Sequence, residues 1–217
     1  MRSLDLRYWV GAVTMLLVAV FFYLVRMDGQ LYLVEENQWM EHIQLSLIVI
    51  AGAIFWRNSG LNIVKKYDGA QGPIKRIALI AAILCFSFLV RELSVKNSGI
   101  EWLIYIVDGT GYKLLMLALW LPALYSLAQQ WQLYWQLLKA SLFSATAKFT
   151  MLAAMLLLAG ALFDKEIIVV EYFRFYEEIL EMAAYGMLIL AAMSFSKDMA
   201  ALNFSTQATK PAETSLA

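Results

Sequence analysis

The chain has 217 residues, 62% of them hydrophobic and only 16% charged, against roughly 45–50% apolar and about 25% charged in an ordinary soluble domain. Mean hydropathy is +0.65; so little polar surface cannot cover a soluble fold of this size, whereas six apolar stretches of about 20 residues fit the length. Basic and acidic residues number 17 each, a balance that excludes a nucleic-acid binder working by bulk positive charge, and the single Cys85 and single His42 exclude an intramolecular disulfide, bis-histidine haem ligation and a three-histidine zinc site.

The first apolar run, Tyr8 to Val25, follows Arg2 and Arg7. A signal peptide is the competing reading. Arg26 and Asp28 follow without a small-x-small cleavage site, however, and the run is long enough to span, so an uncleaved helix is expected. The second run, Trp39 to Trp56, carries Glu41, His42 and Gln44 at its start. A connection from Arg57 to Arg76 holds the turn-forming string Asp68-Gly69-Ala70-Gln71-Gly72-Pro73. Its basic residues read first as a topogenic signal, with contact to anionic lipid as the alternative.

The third run is Ile77 to Glu92. Beyond it, Ile100 to Val107 is too short to span; it reads as an interfacial helix, a re-entrant piece or an outward extension of the fourth run. The string Asp108-Gly109-Thr110-Gly111 superficially resembles the short active-site string of aspartic proteases, but it sits between membrane helices with no second copy and no all-β context, so that reading is rejected. The fourth run is Tyr112 to Ala128, with Pro122 as a tolerated kink. Gln129 to Leu138, with Trp131, Tyr134 and Trp135, reads as an amphipathic connector at the headgroups. The fifth run is Leu142 to Phe163, and the sixth begins between Tyr172 and Ile179 and ends near Phe195. Residues 201–217 are poor in large apolar side chains and are expected to form a disordered cytoplasmic tail.

Strict period-two alternation is absent, which argues against a transmembrane β-barrel. The expected fold is therefore all-α, one polytopic transmembrane bundle over residues 1–200. Its six spans lie at about 8–25, 39–56, 77–92, 112–128, 142–163 and 176–195. Six crossings leave both termini on one side, and the loop charges choose it. One side collects 11 basic and 4 acidic side chains, the other 6 basic and 13 acidic. The basic side is expected to be cytoplasmic, giving N-in and C-in in a bacterial cytoplasmic (inner) membrane with acidic loops in the periplasm.

That topology brings a set of polar residues to similar depth in the outer half of the membrane. They are Glu41, His42 and Gln44 in the second span, Arg91 and Glu92 at the end of the third, and Asp108 and Lys113 at the entry of the fourth. Glu177, Glu178, Glu181 and Tyr185 in the sixth complete it. Glu178, Glu181 and Tyr185 follow at three and four residues and so form one helical stripe; Glu41 and Gln44 share a face in the same way. Like charges in a shielded site repel, so one carboxylate there would hold a proton or bind a cation. Arg91, with five fixed donors, is the natural counter-charge.

Each of these has a plainer reading: acid-rich helix starts favoured by the helix dipole, an interfacial His42, and an Arg91 that snorkels and pairs locally with Glu92. A divalent metal at Glu41, His42, Glu178 and Glu181 is also open. Glu41 and His42 point about 100° apart, though, and no Glu-x-x-His pair is present. Cys85 reads as a small packed hydrophobe, and the 11 methionines as packing residues.

Three functions fit the pattern. They are proton- or cation-linked transport, an enzyme acting on a lipid or isoprenoid-linked substrate, and an assembly, sensory or regulatory membrane subunit. Expected partners are membrane lipids and a monovalent or divalent cation, with no nucleic acid. Homo-oligomer or larger membrane complex stays open.

Overall fold

The computed structural model describes residues 5–34, 39–61, 68–93, 100–107 and 109–202, and among these all regular structure is helical. The elements are α1 (Leu6–Arg26), a short 3₁₀ turn (Leu31–Val34), α2 (Trp39–Gly60), α3 (Asp68–Glu92), α4 (Glu101–Val107), α5 (Thr110–Gln129), α6 (Trp131–Ser141), α7 (Ala145–Asp164) and α8 (Phe173–Ala201). Six helices among the described residues are long and apolar enough to cross a membrane: α1, α2, α3 from Gln71, α5, α7 and α8.

α8 is the axis of the molecule. Fully 78% of its apolar stretch is buried, whereas α5 buries little beyond Gly111 and Ala123. Around it pack α7, α2 and α1; α3 lies on α2, and α5 lies outermost against α3. Helix directions follow from paired side chains. Gln44 donates to the Glu178 carbonyl at 2.8 Å and Asn58 to the Ala192 carbonyl at 2.9 Å, both 134 residues apart in sequence. α2 and α8 therefore run parallel, in constant register over about 21 Å.

Arg7 donates to Ser194 at 3.2 Å at one end of α1, and Arg26 covers the Tyr172 ring at 5.4 Å at the other, so α1 is antiparallel to α8. Thr146 bonds Asp198 while Gly160 lies against Glu177 and Glu181, which makes α7 antiparallel too. α3 opposes α2, with Gly52 against Cys85, and α5 opposes α3, with Trp120 donating to Ser87 at 3.0 Å.

Between apolar helices, association depends on close packing and interhelical hydrogen bonds rather than on a hydrophobic drive. Gly186 supplies the closest packing. A Cβ there would lie 2.3 Å from Thr14 Cγ2 and 2.7 Å from its Oγ1, so glycine is what lets α1 reach α8. Thr14 spends its own hydroxyl on the Val10 carbonyl, 2.9 Å away.

Several boundaries differ from the apolar runs for local reasons. The turn-forming string before the third run is helical: α3 starts at Asp68, and Pro73 sits within its second turn, where one backbone bond is lost. α7 starts at Ala145 rather than near Leu142 because Ser144 caps it, accepting from the Ala147 N–H. Ile100 to Val107 contributes a separate helix, α4. The connector is the amphipathic α6, burying Tyr134 and Leu137 while Trp131 and Trp135 stack on the outside with centroids 5.9 Å apart. The expected disordered tail lies, from residue 203 on, outside the described residues.

Candidate functional site

The starts of α2, α5 and α8 and the ends of α1, α3 and α7 gather at one end of the bundle. This end carries Asp28, Glu41, Glu92, Asp164, Glu166, Glu171, Glu177, Glu178 and Glu181 and is the acidic end. Arg7, Arg57, Lys75, Arg76, Lys139, Lys148 and Lys197 mark the other, basic end.

At the acidic end α8 turns carboxylates inward. Tyr172 takes a left-handed φ of 66° and leads into α8. Phe175, Met182 and Tyr185 are then buried, and Glu181 lies on the same inward side. Glu181 is 7% exposed, and a carboxylate so enclosed needs a partner. The partner is Arg91 at the end of α3: its Nη2 is 2.8 Å from Glu181 Oε1. The same guanidinium holds Glu92, with Nε 2.7 Å from Oε1 and Nη2 on the same oxygen. One half-exposed arginine thus serves two carboxylates on two helices. It rests over the Phe88 ring, 5.8 Å from its centroid, and Phe88 in turn packs on Tyr185. Gly160 gives α7 its close approach here, with the Glu181 Cγ 3.7 Å from where a Cβ would stand.

Glu178 has a different partner. Gln44, fully buried on α2, donates through Nε2 to the Glu178 carbonyl and, at 2.6 Å, to its Oε2. Arg174 Nε is 4.0 Å from the other carboxylate oxygen, one helical turn away. Among the described residues two buried polar atoms in this cluster find no hydrogen-bond partner, Gln44 Oε1 and the Tyr185 hydroxyl. Both can accept one. Half-buried Glu177 feels Asp164, Glu92, Arg174 and Arg91. Just beyond the end of α7, the Asp164 carboxylate 2.6 Å from Lys165 holds that ammonium above its ordinary 10.5.

The fold therefore brings Gln44, Arg91, Glu92, Glu177, Glu178, Glu181 and Tyr185 together. It leaves others outside. His42 is exposed, since two residues from Gln44 on a helix is about 200° of rotation. Glu41 is half-buried one turn outward of Gln44, and Lys113 is exposed at the start of α5. Asp108 lies outside the described residues. The metal set of Glu41, His42, Glu178 and Glu181 is not assembled: among the described residues no three His, Cys, Asp or Glu converge on one point. Arg174 and Phe88 join the cluster without having been singled out in the sequence. Arg174 has a signal, the i,i+4 spacing to Glu178 that puts base and acid on one face; Phe88 has only its place one turn before Arg91.

Chemically, four carboxylates here face two guanidinium groups, Arg91 and Arg174. The excess negative charge can be balanced by a proton or a cation, and the unpartnered oxygens of Gln44 and Tyr185 add neutral ligands. Comparison of the chain with protein-family models, with curated proteins and with solved structures found no match.

Proposed function

We propose that this chain is a six-span protein of a bacterial cytoplasmic membrane, with the basic end and both termini in the cytoplasm and the acidic end facing outward. In this reading the Glu178–Glu181 cluster takes up and releases a proton or a monovalent cation from the outer side, as part of proton- or cation-linked transport. The orientation is supported by the charge asymmetry, since an excess of Lys and Arg marks the cytoplasmic side. Intramembrane carboxylates are costly enough that function is the first explanation for them.

One observation carries the reading. Among the described residues Glu181 and Glu92 share one cation, Arg91, while Glu178 is bonded to a neutral amide with Arg174 at 4.0 Å from its other oxygen, so the cluster holds more acid than base. Arg91 sets the field at Glu181, Gln44 orients Glu178, and Tyr185 lies one turn deeper as the next oxygen along α8. The test is flux into liposomes containing the full chain, followed with a pH-sensitive dye and with a monovalent-cation indicator. The parent is expected to give a protein-dependent signal that Glu181→Gln abolishes. No signal from folded, correctly inserted parent, or an unchanged signal in the variant, overturns the assignment.

A second reading, an assembly or regulatory subunit, is favoured by the interior below the cluster. From Tyr185 toward the basic end, α8 buries Leu188, Ile189, Ala191 and Ala192 before reaching Ser194. Those residues offer no polar relay. Absence of flux together with a stable Arg91–Glu181 pair selects this second reading.

A further inference from the structure

A separate cavity of about 480 Å³ lies toward the basic end, between α3, α5, α6, α7 and α8. It falls within the size of small-molecule sites, commonly 300–1,000 Å³. Its lining is almost wholly apolar and includes Ile80, Trp131, Trp135, Ala154 and Phe195, with Tyr134 contributing its ring. The hydroxyl of Tyr134 is buried and finds no hydrogen-bond partner among the described residues.

Three cations neighbour lining residues, two of them in space and Lys148 in sequence. Arg76 precedes the lining residue Ile77, and its Nη1 is 3.4 Å from Gln130 Oε1, beside Trp131. Lys139 Nζ lies 5.1 Å from the centroid of the Trp135 ring. Lys148 is exposed and follows the lining residue Ala147. Two acids near this end are engaged elsewhere: Asp198 Oδ2 accepts from the Thr146 N–H and hydroxyl, both at 2.7 Å, and Asp5 is bonded to Arg7.

We infer that this cavity binds an anionic phospholipid, one acyl chain lying among the apolar lining and the phosphate held by Arg76, Lys139 and Lys148. Three features select that occupant. The cavity runs alongside spanning helices, where acyl chains are the surrounding solvent. Its stacked tryptophans suit headgroup depth, where amphipathic rings collect. Its rim offers cations, and basic pockets between spanning helices on the cytoplasmic side suit anionic headgroups. The inference rests on the membrane reading above but not on exchange at Glu181.

The test measures binding of phosphatidylglycerol and phosphatidylcholine with identical acyl chains to the full chain in detergent, by native mass spectrometry. The parent is expected to prefer phosphatidylglycerol. At about fivefold per cation, Arg76→Gln with Lys139→Gln should weaken phosphatidylglycerol about 25-fold and phosphatidylcholine, whose choline offsets its phosphate charge, by clearly less, so that the preference for phosphatidylglycerol shrinks. Ala154→Phe, which fills the cavity and keeps every charge, should weaken both lipids. Equal binding of the two lipids by the parent, parent-like affinity in the charge variant, or parent-like affinity in Ala154→Phe each overturns the site. Such a failure with Glu181-dependent flux intact removes the lipid site alone.

Discussion

Replacing Arg91 by Gln and replacing Glu181 by Gln cut the same 2.8 Å bond, yet the two should differ sharply in cost. Arg91→Gln strips the charge from the one side chain that bonds both Glu181 and Glu92, and it leaves a 7% exposed carboxylate beside others. Breaking a fully buried pair from one side costs about 3–5 kcal/mol. The arginine side chain is 50% exposed, so water recovers part of that loss, and about 2 kcal/mol is expected. Glu181→Gln removes the buried charge itself, keeps a similar shape and leaves Arg91 on Glu92; less than about 1 kcal/mol is expected.

At roughly 2–4 °C per kcal/mol for a chain of this size, the thermal midpoint should fall by about 4–8 °C for Arg91→Gln and by less than about half of that for Glu181→Gln. The double variant should recover stability relative to Arg91→Gln, because the stranded carboxylate is gone. Thermal unfolding of parent, both single variants and the double variant in one detergent measures this cycle directly. A Glu181→Gln loss equal to or larger than that of Arg91→Gln, or a double variant no better than Arg91→Gln alone, refutes the reasoning.

Gly186→Ala should cost about 1–3 kcal/mol as an overpacked contact, because its Cβ would meet Thr14 at 2.3 Å; Thr14→Ala in the same chain should restore part of the lost thermal midpoint. Asp198→Ala should cost about 1–2 kcal/mol by removing the acceptor for the N–H and hydroxyl of Thr146 at the start of α7, measured in the same way. Asp5 caps α1, and the guanidinium of Arg7 holds its carboxyl below the ordinary 3.8. A lowered pKa stabilises the fold wherever the unfolded chain's Asp5 is ionised and loses that effect as pH falls through the folded value. The midpoint difference between parent and Asp5→Ala should therefore be constant at neutral pH and close only below 3.8.

The helices were legible because continuous apolar length is a strong signal, and every expected run falls mainly within one long helix. Their exact starts were less so. Ser144 works as a cap only when its oxygen faces the Ala147 N–H, and Pro73, in the second turn of α3, removes one backbone bond without ending the helix. Alternating helix direction placed Gln44, Arg91 and Glu181 at one depth from sequence alone. Side-by-side order could not be read, because hydropathy does not say which helix is central. That order, with α8 at the axis between α1, α2 and α7, gave Glu178 to Gln44 and Glu181 to Arg91 while turning His42 and Lys113 outward.

The basic end shows the same limit. Asp198 counts as a loop charge in the sequence, and only the approach of α7 to α8 makes it the acceptor for Thr146. Asn58 and Ser194 gave no signal beyond being polar, and they bond across helices only through the 134-residue register and the approach of Arg7.

Infrared difference spectroscopy of the full chain in liposomes tests the acid excess at Glu178 and Glu181 most directly, by recording carboxyl bands while the pH or monovalent-cation content of the outer medium changes. The account predicts a change in the carboxyl bands that is lost in Glu181→Gln and altered in Glu178→Gln. Identical difference spectra from the parent and both variants would contradict it.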